Sequence, residues 1–183
     1  LPFFCDASMN TAFDEFLAVA SELIEAAQRQ SDLAAAEAFY RRAISTAYYA
    51  LFHRITDDVA TIVIGYLPAP RQIAFKRSIR HRTFKGLRDE LADQLLEADH
   101  AGFHDRQSVL SGLMELCADL LQLQNSREMA DYDPRIEDPR TTAEEALRSS
   151  REALQAWKGM PEDVKALFAQ SLLWHFKLNQ KGK

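Results

Sequence analysis

Two stretches of the chain gather groups that could handle a phosphate or a proton. In the first, a helix advancing about 100° per residue from Ser45 brings Arg42, Ser45, Tyr49, His53 and Thr56 to one side. Ile44, Ala47, Tyr48, Leu51, Ile55 and Val59 take the other side. A guanidinium can hold a phosphate with paired hydrogen bonds, and an imidazole can move a proton near neutral pH. The same face also fits a partly buried surface whose groups bond backbone or water. The second stretch is Asn125-Ser-Arg-Glu-Met-Ala-Asp-Tyr-Asp-Pro134. Arg127 there is close to an expected helix C-terminus, where a cation interacts well with the dipole. Either it ends a helix with Asp131 or Asp133 as its partner, or it is aimed at a phosphate with Tyr132 on the adjacent surface.

A third feature is charge. Arg71, Lys76, Arg77, Arg80, Arg82, Lys85 and Arg88 fall in one run with His81 and no acid, in a chain of net charge −5. Phe75 and Phe84 interleave with these cations. Such a segment can hold a phosphate backbone and stack bases. Asp89, Glu90, Asp93 and Glu97 follow directly, so the cations can also pair within the protein.

Several chemistries have no support. His100 and His104 are four apart, but they flank Gly102 in an expected loop and lack a third ligand of matching spacing, so neither metal nor cofactor is expected. There is no Gly-x-Ser-x-Gly elbow and no Gly-rich phosphate loop. Two cysteines, Cys5 and Cys117, make no disulfide framework; Cys117 reads as a small buried apolar residue, and a cytoplasmic setting is expected. No apolar run approaches the roughly 18 residues of a membrane span, so no membrane partner is expected.

These groups need a scaffold, and the composition points to helix. The chain has 183 residues, 47% hydrophobic and 27% charged, a balance that rules out a disordered chain. Ala and Leu number 49 against 13 for Val and Ile, and Gly and Pro are scarce at 6 each. Strands favour the β-branched residues, and turn-rich β folds need more Gly and Pro. Apolar spacing predicts a helix over about Thr11–Gln30, burying Phe13, Leu17, Ala20 and Ile24. A second should start at a Ser31 cap and run to about Tyr66, stopped by Gly65 and Pro68. Shorter helices are expected over Pro70–Arg80 and Thr83–Ala98, then a loop over Asp99–Gln107. Ser108 should open a long helix that ends between Ala130 and Pro134. Thr142-x-x-Glu145 resembles a capping box for a helix to Trp157. Gly159 should stop that helix and Pro161 begin the last, which should bury Val164, Leu167, Phe168, Leu172 and Trp174. The fold class is all-α: an antiparallel helical bundle with additional short helices. The run Ala47–Phe52 is apolar nearly all round, so it needs cover on more than one side: a second copy in a homodimer is the expected cover, the alternative being that the bundle's own helices suffice.

Ala43-Ile-Ser-Thr-Ala-Tyr-Tyr-Ala-Leu-Phe-His53 resembles the long-helix signature of the HEPN superfamily. Arg127-Glu-Met-Ala-Asp-Tyr-Asp-Pro134 resembles the Arg-x-x-Ala-Asp-Tyr stretch of a bacterial and archaeal branch, and His81-Arg-Thr-Phe-Lys-Gly-Leu87 sits where that branch has a basic segment. The resemblance runs from about Phe13 to Trp157. It implies residues 11–158 as a HEPN-like bundle and 159–183 as a C-terminal helix packed on it or a tail. Residues 1–10 read as an extension or a disordered N-terminus, with Met9 as the natural start.

The resemblance further implies a homodimer in which the motif arginines of two subunits line a cleft. Many members are metal-independent ribonucleases of toxin–antitoxin, defence or RNA-processing systems; others bind nucleotides or partner small nucleotidyltransferases. The nuclease motif is an arginine followed by a histidine with four to six residues between them. Here Tyr132 stands at that distance from Arg127, and no histidine follows until His175. A tyrosine, with a pKa near 10, is a poor base for a ribose 2′-hydroxyl at neutral pH. The leading expectation is therefore an RNA- or nucleotide-binding regulatory or toxin–antitoxin/defence component with little nuclease activity. Arg127, Arg42, Lys76, Arg77, Arg80, Arg82 and Lys85 would hold phosphate, and Ser45, Tyr49 and Asp131 would line the site. One alternative is a ribonuclease using Arg127 with Tyr132 or His53. Another is a purely structural dimeric interaction protein.

Overall fold

A computed structural model describes the backbone of residues 7–79, 81–100, 104–133 and 135–180, and the side chains of 13–79, 83–94, 107–133 and 135–173. The described residues form seven helices and no strand: α1 (Ala7–Gln28), α2 (Leu33–Ile64), α3 (Ala69–Ser78), α4 (His81–His100), α5 (His104–Tyr132), α6 (Pro139–Gly159) and α7 (Glu162–Gln180). The all-helical reading of the composition holds. No helix among the described residues is long and apolar enough to cross a membrane.

Several helix boundaries differ from the sequence expectation, each for a local reason. Asp32 rather than Ser31 caps α2, its Oδ1 accepting from the Ala34 N–H at 2.9 Å. The α6 cap is Asp138 rather than the Thr142 box: Asp138 Oδ1 accepts from the Thr141 N–H at 3.0 Å, with Pro139 opening the helix. In both places a short carboxylate satisfies an N–H that the first turn leaves unpaired. The Asp99–Gln107 loop shrinks, because α4 runs to His100 and α5 begins at His104. Residues 101–103 lie outside the described residues. Gly65 follows directly on α2, and a Cβ there would collide with the Thr61 carbonyl oxygen, so the position requires glycine.

The chain divides into two compact units. The first comprises residues up to Arg54 together with Gln122–Leu154. It holds α1, the first two-thirds of α2, the end of α5 and most of α6. The α1 residues Phe13, Leu17, Ala20, Ile24 and Ala27 are buried, as their helical spacing predicts. In α2, Ala47, Tyr48, Ala50, Leu51 and Phe52 are all buried within a single chain. The apolar run is thus covered without a second copy, and the argument for a dimer from that run falls. The small side chain of Ala47 lets α6 come close: the buried Ser150 hydroxyl of α6 donates to the Ala47 carbonyl at 2.7 Å.

The second unit comprises Ile55–Leu121 and residues from Gln155 onward. Its core is aromatic. Trp157 and Phe168 meet edge to face with centroids 5.3 Å apart, and Phe84 stacks on Phe168 at 6.4 Å. All three are fully buried, so each gains about 2 to 3 kcal/mol from leaving water. The Trp157 Nε1–H donates to Asp58 Oδ2 at 2.7 Å, which keeps a buried donor satisfied. Leu167, expected in the core, is exposed, and Lys165 takes a buried place instead. The Lys165 stem lies along Trp157, its ammonium 5.9 Å from the ring centroid and 2.8 Å from Glu162. The Trp174 side chain lies outside the described residues.

Candidate functional site

The first unit brings Ser45, Tyr49 and His53 together with Arg127, Asp131 and Tyr132. Ser45, Tyr49 and His53 lie four apart on α2, so they stack along one face. Arg127 and Asp131 are four apart on the last two turns of α5. The Ser45 hydroxyl donates to Asp131 Oδ1 at 2.7 Å. The other carboxylate oxygen, Oδ2, is 2.7 Å from Arg127 Nε. Asp131, not Asp133, is therefore the partner of this arginine. The Nε–H is buried and makes no aligned hydrogen bond, so charge and proximity hold that contact rather than directed geometry.

Aromatic rings flank the guanidinium. Its central carbon is 5.5 Å from the Tyr49 centroid and 5.7 Å from that of Tyr132, within cation–π range. The His53 ring stacks on Tyr49, centroids 5.6 Å apart and planes 18° from parallel. Arg127, Tyr49 and His53 thus form a series in which one ring separates the cation from the imidazole. His53 is exposed and so is Tyr132, at 75%. Arg127 itself retains only 17% side-chain exposure. Burial weighs against its charge, but Tyr49, Asp131 and Tyr132 outweigh that and hold its pKa above the ordinary guanidinium value. The adjacent Tyr48 hydroxyl is pushed well above the usual phenol range, first by burial and then by Tyr49, with Arg127 pulling the other way.

Arg41 has a structural part in this arrangement that its sequence position does not announce. Its Nη1 donates to the Ala130 and Asp133 carbonyls at 2.9 and 2.7 Å, and Nη2 lies 2.6 Å from Glu37. These carbonyls belong to the last turn of α5 and the residue after it, which lack helical donors. The only sequence signal is the Arg41-Arg42 pair within a long helix. Arg42, its neighbour, is exposed.

The basic segment belongs to the second unit. Lys76 is paired with Asp57 at 2.6 Å, so the internal-pairing reading applies to it. Arg88 pairs with Asp89 at 2.9 Å. Arg71, Arg77 and Lys85 are exposed. Phe84 is buried against Phe168 and cannot stack a base. Arg80 and the side chains of His81 and Arg82 lie outside the described residues, as do those of His100 and His104. Among the described residues no group of three or more His, Cys, Asp and Glu could hold a metal ion.

Comparison of the chain with protein-family models, with curated proteins and with solved structures found no match.

Proposed function

We propose that this chain is a HEPN-like protein that binds the phosphate of an RNA or a nucleotide, with little or no ribonuclease activity, in a regulatory or toxin–antitoxin/defence role. The observation that carries the reading is the setting of Arg127. Its guanidinium lies beside two tyrosine rings, and a tyrosine can position or stack a nucleotide but takes a proton poorly at pH 7. Exposed Tyr132 and His53 offer ring faces on which a base can rest, and base–aromatic stacking tolerates any sequence. The HEPN resemblance adds the expectation of a homodimer whose two Arg127 side chains face one cleft, and of a small nucleotidyltransferase as partner.

A second reading, a metal-independent ribonuclease, draws on His53. This imidazole is exposed and stacked on the ring that borders Arg127. An imidazole is the side chain best suited to act as a general base near neutral pH.

A fluorescently labelled single-stranded RNA, tested for binding and metal-free cleavage, separates these readings. Salt-dependent binding that weakens in Arg127→Ala, without cleavage, is the expected result. Rapid cleavage by the wild type that vanishes in Arg127→Ala and His53→Ala would replace it with the ribonuclease. No binding by any form would leave the structural interaction protein.

A further inference from the structure

Given that Arg127 is the phosphate-binding group inferred above, we propose that Asp131 is a built-in competitor for that phosphate, held over the arginine by Ser45. The carboxylate sits where an anionic oxygen of the ligand would go, 2.7 Å from Arg127 Nε.

Helix stability gives no reason for an acid at this position. Asp131 is the last residue but one of α5, where the negative end of the helix dipole disfavours a carboxylate. An arginine preceding its acid by four residues is also the weaker ordering of such a pair. The Ser45 hydroxyl, donating to Oδ1, fixes the carboxylate from a different helix and turns Oδ2 to the cation. The acid is therefore placed by tertiary structure.

The grip is also weak enough to yield. Arg127 Nε is buried without an aligned hydrogen bond, although Asp131 Oδ2 is in contact range. A phosphate can accept two parallel bonds from a guanidinium fork, which favours it over a single misaligned carboxylate contact. Tyr49 and Tyr132 would keep the guanidinium in place when the acid leaves. Arg127 is thus neutralised at rest, and anions bind only if they outcompete Asp131. Weakly bound anions are rejected, and a ligand that adds ring stacking to its phosphate is selected.

The test is fluorescence-anisotropy binding of a labelled, 5′-phosphorylated single-stranded RNA at several salt concentrations. Adenosine diphosphate and adenosine serve as unlabelled competitors, which separates a free nucleotide from an RNA strand as the preferred source of phosphate. The proteins are wild type, Asp131→Asn, Asp131→Ala, Arg127→Ala, the Arg127→Ala/Asp131→Asn double variant and Glu128→Gln. Asp131→Asn keeps an acceptor for Ser45 and removes the charge. It should tighten binding about five- to tenfold, a coupling of ordinary size for two linked sites. Its dependence of log K on log salt should steepen by about 0.7, since one more phosphate charge is then neutralised on a single strand. Asp131→Ala should move the same way, and the double variant should lose the gain. Unchanged or weaker binding by both Asp131 variants, while Arg127→Ala still weakens the wild type, overturns the competitor and leaves the phosphate reading standing. An equal gain from Glu128→Gln, which removes the same charge from an exposed neighbour, also overturns it. Binding that ignores Arg127→Ala in both backgrounds, or no binding by any form, overturns both.

Discussion

The Arg41 guanidinium donates to the Asp133 carbonyl oxygen at 2.7 Å, so a side chain of α2 closes the end of α5. This contact helps to fix Arg127 and Asp131 against Ser45 and Tyr49, because it ties the end of α5, which carries the first pair, to α2, which carries the second. Arg41→Ala should lower the unfolding free energy by about 1.5 to 3 kcal/mol, as for a lost charged hydrogen bond. The readout is a lower urea midpoint at unchanged slope. Arg41→Lys should recover only part of the loss, since an ammonium lacks the planar fork that reaches two carbonyls. An Arg41→Ala midpoint equal to wild type would mean that water satisfies these carbonyls at no cost.

Binding should depend on Arg127 more than on any other described cation of the first unit. Arg127→Ala should weaken RNA binding by about 1.5 to 3 kcal/mol, the range for hydrogen bonds to charged groups. Tyr132→His should raise any cleavage, because it puts a base of near-neutral pKa beside the guanidinium. The check is a labelled-RNA assay with wild type, Arg127→Ala and Tyr132→His in parallel. Cleavage that Tyr132→His leaves at the wild-type level would mean that this position does not face the 2′-hydroxyl.

Assembly is testable at the same surface. The proposed homodimer should give twice the 20.8 kDa chain mass by light scattering at micromolar concentration. Tyr132→Asp should shift it toward monomer without changing the helical circular-dichroism signal, because Tyr132 is exposed. Charges at Tyr48 or Leu51 would instead unfold the chain, since both are buried within it. A mass near 20.8 kDa for the wild type would rule the dimer out.

Alkaline pH should destabilise the protein. Burial pushes the Cys117 thiol up from 9.0 to about 12, against a smaller opposing pull from Arg88. Burial likewise raises Tyr48 well above the usual phenol value of 10.0. Below pH 9 both groups are protonated whether the chain is folded or not. Between about pH 9 and 12 the unfolded chain gives up the thiol proton and the folded chain keeps it, so stability falls as pH rises. Tyr48 adds to the fall above pH 10. Urea midpoints at pH 8, 9.5 and 10.5 should therefore decline in order, and Cys117→Ala should flatten the decline between 8 and 9.5. Rapid alkylation of Cys117 in the native protein at pH 8 would contradict the buried thiol.

The sequence alone was enough to establish helix, because helix is a local decision. Ala and Leu abundance, scarce Gly and Pro, and apolar residues at 13, 17, 20 and 24 act within a few turns of one another. The α2 face carrying Ser45, Tyr49 and His53 was legible for the same reason: four-residue spacing suffices to align side chains. The Arg127–Asp131 pair was legible as one of two local options, being four apart on one helix.

What the sequence left open depended on contacts between distant segments. Only the folded chain places Ser45 against Asp131, 86 residues away, and Arg41 against the end of α5. It also decides that Ala47–Phe52 is covered from within and that Phe84 lies in an aromatic core with Phe168. Apolar pattern says that a side chain will be buried, but not by what. Lys165 went the opposite way to its residue type for this reason: its stem found Trp157, which no spacing along α7 records. Capping failed at Ser31 and Thr142 because several short polar residues compete there, and the carboxylates of Asp32 and Asp138 were the ones that reached the first-turn N–H groups.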